Sequence, residues 1–217
     1  MEQELQITEQ TPPKKVKTLQ KAVMFLAIVR AIFSIFPIPL PLPIPIPTII
    51  IIALWCCLLF IASNKPTKIA TILLLVANFI PFIGALVSAF AVGIIFKANK
   101  EMGPNSKSWF VTYIAIHTIT AGLLLSSLVN PQTLFYYTSS INTLWTIASQ
   151  VILAAAFFGI AKCSAYSGDD NYYNGAEKVY SPINKYVLGT IIGTIVYVGL
   201  MFIINLISAD IDNLLNF

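Results

Sequence analysis

The sequence predicts an all-α integral membrane protein: a multi-pass helical bundle with about five full spans, one re-entrant or broken hairpin and an extramembrane polyproline arm. Hydrophobic residues make up 57% of the 217 residues and charged residues only 10%, against about 25% charged residues in soluble domains. Of the 13 Lys and Arg residues, only Arg30 lies inside an apolar stretch. A composition this apolar, with every charge except Arg30 in the tails and connections, is typical of a chain embedded in a bilayer.

Six apolar segments form a single membrane domain over residues 22–207. A polar, basic tail (1–21) precedes the domain and a short acidic tail (208–217) follows it. A helix needs about 20 residues to cross roughly 30 Å of hydrocarbon, so the last three segments fit as crossings, while the first two are short. The segments are 22–36, which Arg30 interrupts, 48–62, 69–96, 109–129, 141–161 and 186–207.

The segment 69–96 is too long for one ordinary crossing. Its 28 residues would measure about 42 Å as a straight helix, which fits a 30 Å core only with a tilt near 45°. Asn78, Pro81 and Gly84 mark a natural break in its middle, because proline interrupts the helical hydrogen-bond ladder. The alternative to one tilted helix is a hairpin of two limbs, 69–80 and 82–96, that turns within the membrane.

The lysines in the connections favour the hairpin, because cytoplasmic loops carry the excess of Lys and Arg. With Arg30 set aside, the 13 basic residues leave twelve lysines. If all six segments cross once, six lysines fall on each side; if 69–96 returns to the side it left, all twelve lie inside. A competing arrangement lets 22–47 return instead, which misplaces only Lys65 and Lys68. Both arrangements put 97–107 and 163–185 inside, and 130–140 and the acidic tail (Asp210, Asp212) outside.

Six prolines alternate with aliphatic residues across residues 37–47. Each proline lacks an N–H group and pushes the preceding residue toward extended backbone, so the segment should form a polyproline II rod. Its carbonyl groups need partners, which excludes a lipid-exposed crossing. We therefore expect an arm outside the membrane or a segment packed against protein.

Four polar side chains form the candidate intramembrane site: Arg30, Asn78, His117 and Gln150. Arg30 lies about 13 Å beyond Lys21 by helix rise, where an arginine costs about 2.5–3.5 kcal/mol on insertion scales. No acid occurs in any apolar stretch. Three readings of Arg30 therefore stay open: it snorkels to a headgroup, donates to amides such as Asn78 or Gln150, or meets an anionic ligand or an acid of a partner. For His117 we expect a hydrogen-bonded packing role, with proton relay as the alternative.

Small residues recur at four-residue spacing in three segments, a pattern that lets membrane helices approach closely. The pattern predicts packing within one bundle, with a homo-oligomer or partner-subunit interface as the alternative. The residues are Gly189 and Gly193 in the last segment, Ala85, Ala89 and Gly93 in the second limb of the hairpin, and Gly122 in the fourth segment.

No phosphate-binding loop, metal cluster, nucleophile motif or carboxylate pair stands in the sequence, so we expect no enzyme, no cofactor and no metal. A basic face with base-reading residues is missing too, which argues against nucleic-acid binding. The first hypothesis is a non-catalytic integral membrane subunit or scaffold that assembles with partner membrane proteins through the small-residue faces, the proline arm and the cytoplasmic loop 162–185. The alternative is a small transporter or channel with an anion site near Arg30 and the broken element from Asn78 to Gly84.

The predicted location is a bacterial inner membrane or its equivalent, with the lipid bilayer as the first partner. The basic tail places the N-terminus in the cytoplasm. An odd number of full crossings then places the C-terminus on the opposite side.

Overall fold

The described part of the chain forms seven α-helices. The computed structural model describes residues 14–36, 44–62, 64–80, 82–99, 104–129, 140–164 and 185–215. Within these ranges it contains no strand, which confirms the all-α prediction. The helices are α1 (Lys14–Ile35), α2 (Ile46–Ile61), α3 (Lys65–Ala77), α4 (Ile83–Ala98), α5 (Pro104–Val129), α6 (Ser140–Ser164) and α7 (Lys185–Leu215).

Four of these helices, α1, α5, α6 and α7, are long and apolar enough to cross a membrane. Helix α1 begins at Lys14, so it extends into the stretch that the sequence assigns to the polar tail. Its 22 residues measure about 33 Å. The helix is therefore long enough to cross a membrane, although the first apolar segment alone is short. Helix α7 continues to Leu215 and so includes the first part of the predicted acidic tail.

The predicted break in 69–96 is present. Helix α3 ends at Ala77 and α4 begins at Ile83, with a turn between them. Phe82 in this turn has φ 62° and ψ −61°, close to the strained γ-turn conformation. A Cβ atom on Gly84 would overlap the carbonyl oxygen of Ala77, so the turn closes only because residue 84 is glycine. Pro81 itself lies outside the described residues.

The two limbs form an antiparallel hairpin whose open ends meet. Asn64 caps the start of α3 by accepting a hydrogen bond from the Thr67 N–H at 2.8 Å. The Asn64 amide donates to the Asn99 amide oxygen at 3.2 Å, and the Asn99 amide donates to the Thr67 hydroxyl at 3.1 Å. Because Asn99 ends α4, the hairpin returns to the level at which it starts.

The lysine-bearing ends of the helices lie at one end of the bundle. Near Lys21 of α1 and Lys162 of α6, the Gln20 amide donates to the Ala161 carbonyl at 3.3 Å. Helix α6 also contacts α5 at this end, because Gly159 packs against the ring of Trp109, two residues from Lys107.

Aromatic contacts extend this end to α4 and α7. The Phe96 ring, next to Lys97, lies 5.7 Å from the Phe110 ring of α5 and 4.9 Å from the Tyr186 ring, next to Lys185. The Asn64–Asn99 link adds the start of α3, which carries Lys65. All ten lysines within the described ranges therefore belong to the same end of the bundle.

The proline segment is described only from residue 44 onward. Pro45 has φ −58° and ψ 137°, which is polyproline II geometry. Helix α2 begins at Ile46 and carries Pro47 in its first turn, a position where the missing N–H group costs nothing. The predicted arm is thus two residues shorter at this end, and residues 37–43 lie outside the described ranges.

Most of the small-residue faces pack inside the bundle. Ala85, Ala89 and Gly93 of α4 are buried. Helices α5 and α7 cross closely at Gly122, where an added Cβ would lie 2.6 Å from the Tyr197 ring, and at Gly193, where it would lie 3.3 Å from a Thr118 methyl group. Gly189 differs, because nothing lies within 4 Å of the position of its Cβ.

Candidate polar site between the helices

Arg30 is bonded to another helix. Its Nη1 atom donates to the Gln150 side-chain oxygen at 2.9 Å, which ties α1 to α6. Of the alternatives that the sequence left open, donation to the Gln150 amide is therefore realised. This is one of five N–H donors on the guanidinium, and among the described residues no other hydrogen bond from Arg30 is found. Arg30 and Gln150 are both partly exposed residues.

Tyr113 of α5 contacts two of the predicted polar side chains, Asn78 and His117. The Asn78 amide, at the break between α3 and α4, donates to the Tyr113 hydroxyl at 3.1 Å and to its own helix at the Leu74 carbonyl at 2.6 Å. The His117 ring, one turn further along α5, lies 4.3 Å from the Tyr113 ring. The broken element and the predicted histidine thus meet through a tyrosine that the sequence prediction did not select.

Arg30 lies within electrostatic range of both α5 side chains, Tyr113 and His117. The four predicted residues therefore belong to one neighbourhood: Arg30 contacts Gln150 directly, while Asn78 and His117 contact Tyr113. We call the group formed by Arg30, Asn78, Ser88, Tyr113, His117 and Gln150 the polar centre.

Two buried polar groups beside Tyr113 have no hydrogen-bond partner among the described residues. Ser88 of α4 is fully buried, and its hydroxyl faces Tyr113 without reaching hydrogen-bond geometry. Trp55 of α2 packs edge-on against the Tyr113 ring at 5.7 Å, and its Nε1 atom is buried and unpaired. A buried polar group without a partner costs about 1–3 kcal/mol, so the surroundings of Tyr113 hold unused hydrogen-bonding capacity.

The unpaired groups around Tyr113 and Arg30 are mainly hydrogen-bond donors. The indole Nε1–H group is a donor only, and the guanidinium is a donor only and carries a positive charge. No acid occurs between residues 10 and 100 or between 102 and 168, so this part of the chain offers no counter-ion to Arg30. The chemical complement of the polar centre is therefore an acceptor-rich anion.

The four residues that the sequence predicted for this site lie at a similar depth from the lysine-bearing end. Arg30 is nine residues from Lys21, and Asn78 is ten residues from Lys68. His117 is ten residues from Lys107, and Gln150 is twelve from Lys162. At the helical rise these separations correspond to about 14–18 Å, roughly half of a 30 Å hydrocarbon core.

Sequence reasoning missed Tyr113, Ser88 and Trp55. Tyr113 stands four residues before His117 and so on the same face of α5, a spacing that was visible in the sequence. Ser88 and Trp55 gave no signal, because one polar residue in an apolar helix is common and its neighbours depend on tertiary packing.

The described residues contain no group of three or more His, Cys, Asp or Glu side chains that could hold a metal ion. Comparison of the chain with protein-family models, with curated proteins and with solved structures finds no match.

Proposed function

We propose that this chain is a small, non-catalytic membrane carrier or channel for an anionic solute, with the polar centre as its binding site. The observation that carries the proposal is Arg30, a partly exposed residue whose guanidinium has one hydrogen bond within the described residues and no acid nearby in the sequence. An uncompensated cation in hydrocarbon is costly. A bound anion would remove that cost.

The architecture that goes with this proposal has five full spans, formed by α1, α2, α5, α6 and α7, and one returning hairpin, α3–α4. The Asn64–Asn99 link and the single lysine-bearing end support this arrangement over one in which 69–96 crosses once. They also disfavour the arrangement in which 22–47 returns, since that would separate Lys65 from the other lysines. The N-terminus is then cytoplasmic and the C-terminus lies on the opposite side.

The broken hairpin supports transport rather than a purely structural role. Transporters commonly place their binding sites near the bilayer midplane at discontinuous helices, because the break frees polar backbone groups to line a cavity. Asn78 lies at the break and also contacts Tyr113. A change in the conformation of the turn would therefore move Asn78 and alter its hydrogen bond to Tyr113 in the polar centre.

A second candidate is the membrane subunit or scaffold that the sequence first suggested. It is favoured by α7, of whose apolar window only 6% of residues are buried. Such a face suits either lipid or a partner helix. The small-residue faces support the scaffold less than the sequence implied, because most of them pack within the chain.

Purified protein in liposomes separates the two candidates. Vesicles loaded with potassium chloride, potassium acetate or potassium phosphate should release at least one anion faster than protein-free vesicles, with a cation ionophore present to balance charge. Vesicles with the ionophore alone provide the baseline. Absence of flux for all three anions, together with a stable heteromeric complex in mild detergent, would favour the scaffold and contradict the carrier.

A further inference from the structure

A groove separate from the polar centre runs between α5 and α7. It encloses a cavity of about 340 Å³, within the range of ligand-binding pockets. Its walls are mainly apolar, with Val111, Ile114 and Ile119 on α5 and Gly189 and Gly193 on α7. Because Gly189 has no side chain and open space beyond it, the groove stays open along the surface of α7.

One buried polar group lines the groove without a partner. Thr190 is 3% exposed, and its hydroxyl makes no hydrogen bond within the described residues. Threonine in a helix usually returns its hydroxyl to a carbonyl of the preceding turn, as Thr120 does with the Ile116 carbonyl at 2.8 Å. Thr190 instead leaves an unpaired hydroxyl in the wall of the groove, and a ligand could bond to it after a small side-chain rotation.

The mouth of the groove is positively charged. Lys185, an exposed residue, lines it, and its Nζ atom lies 5.3 Å from the centre of the Tyr186 ring. Lys185 is also the first residue of α7, where the helix dipole and the unpaired N–H groups of the first turn favour an anion. The positive mouth and the apolar interior together match an anionic amphiphile.

The spacing of these groups matches a membrane lipid. Thr190 lies five residues beyond Lys185, about 7.5 Å along the helix. The polar interfacial layer on each side of a bilayer is roughly 5–7 Å thick. A phosphate beside Lys185 would thus place the lipid's ester carbonyl groups near Thr190 and its acyl chain along Gly189 and Gly193.

We propose that this groove binds an anionic phospholipid from the leaflet at the lysine-bearing end of the bundle. Lys185 and the start of α7 hold the phosphate, the Thr190 hydroxyl donates to an ester carbonyl, and an acyl chain fills the cavity against α5. Basic sites between membrane helices are a common means of recognising anionic headgroups.

Native mass spectrometry of the full chain in a neutral detergent tests the proposal, with phosphatidylglycerol and phosphatidylcholine as probes. The wild type should retain phosphatidylglycerol with a Kd about tenfold lower than that for phosphatidylcholine. Lys185→Gln should raise the phosphatidylglycerol Kd about fivefold. Thr190→Val should weaken the binding of both lipids, because it removes the hydroxyl and keeps the shape.

Gly189→Leu is the steric test, with Gly199→Leu as its matched control. Both positions lie on α7 with open space at the Cβ position, so both variants should fold, but only residue 189 lines the groove. Gly189→Leu should abolish tight lipid retention and Gly199→Leu should leave it unchanged. Equal retention by the two leucine variants would overturn the proposal, as would displacement of the lipid by inorganic phosphate at equal concentration, which would indicate a free-anion site.

Discussion

Arg30→Leu should reduce anion flux at least tenfold while leaving the folded protein as stable as the wild type or more so. The flux should fall because a hydrogen bond to a charged group contributes roughly 1.5–3 kcal/mol, which corresponds to about a tenfold to hundredfold change in binding. Stability should not fall, because leucine removes the cost of holding a guanidinium in hydrocarbon. The measurements are the liposome flux and the midpoint of thermal unfolding in detergent.

Arg30→Lys is the informative companion variant. Lysine keeps the charge but loses the planar fork that can bond Gln150 and an anion together, so flux should be intermediate. Gln20→Leu provides the control, because it removes another hydrogen bond between α1 and α6 outside the polar centre and should leave flux unchanged. Full flux in Arg30→Leu, or equal losses in Arg30→Leu and Gln20→Leu, would refute the anion-binding role of Arg30.

Gly84→Ala should destabilise the protein by about 1–3 kcal/mol, the range for overpacking at a closely packed site. The added methyl group would overlap the Ala77 carbonyl oxygen, and a backbone atom cannot move aside as a flexible side chain can. The turn should therefore open and draw Asn78 away from Tyr113. We expect a lower midpoint of thermal unfolding in detergent, together with reduced flux.

Gly199→Ala is the matched control for this variant. It adds the same methyl group to a helix at a position with open space, so it should be neutral or stabilise α7 by up to about 1 kcal/mol through helix propensity. A Gly84→Ala protein as stable as the Gly199→Ala protein would show that the hairpin turn does not require the close approach at residue 84.

The sequence predicted the features that depend on local chemistry. The break in 69–96 follows from proline and glycine in an otherwise helical segment, and the structure has it between Ala77 and Ile83. For Arg30 the sequence left three readings open, with Asn78 and Gln150 as possible acceptors, and the structure shows the bond to Gln150. The sequence analysis assigned residues 46–47 to the proline arm, but they form the start of α2. The prediction was wrong because proline, which is unfavourable inside a helix, is well tolerated in its first turn.

Features that depend on which helix faces interlock could not be predicted. The two hydrogen-bond partners Asn78 and Tyr113 stand 35 residues apart, and nothing local to either residue indicates the other. The same holds for Ser88 and Trp55, because their unpaired groups indicate a polar site only when the structure places Tyr113 beside them. The small residues of α4, α5 and α7 likewise revealed a capacity for close packing, but not whether the partner is another helix of this chain.

We infer that all lysine-bearing helix ends lie on one side of the membrane, which places Arg30, Asn78, His117 and Gln150 at a similar depth. Single cysteines at Lys65, Asn105 and Ser139, in a background without Cys56, Cys57 and Cys163, test it directly with a membrane-impermeant thiol reagent in intact cells. Lys65 and Asn105 are exposed in the structure. We expect labelling at residue 139 and protection at residues 65 and 105. Labelling at 105 alongside protection at 65 would show that 69–96 crosses once, and labelling at 65 alongside protection at 105 would show that 22–47 returns. Either result would contradict a single lysine-bearing side.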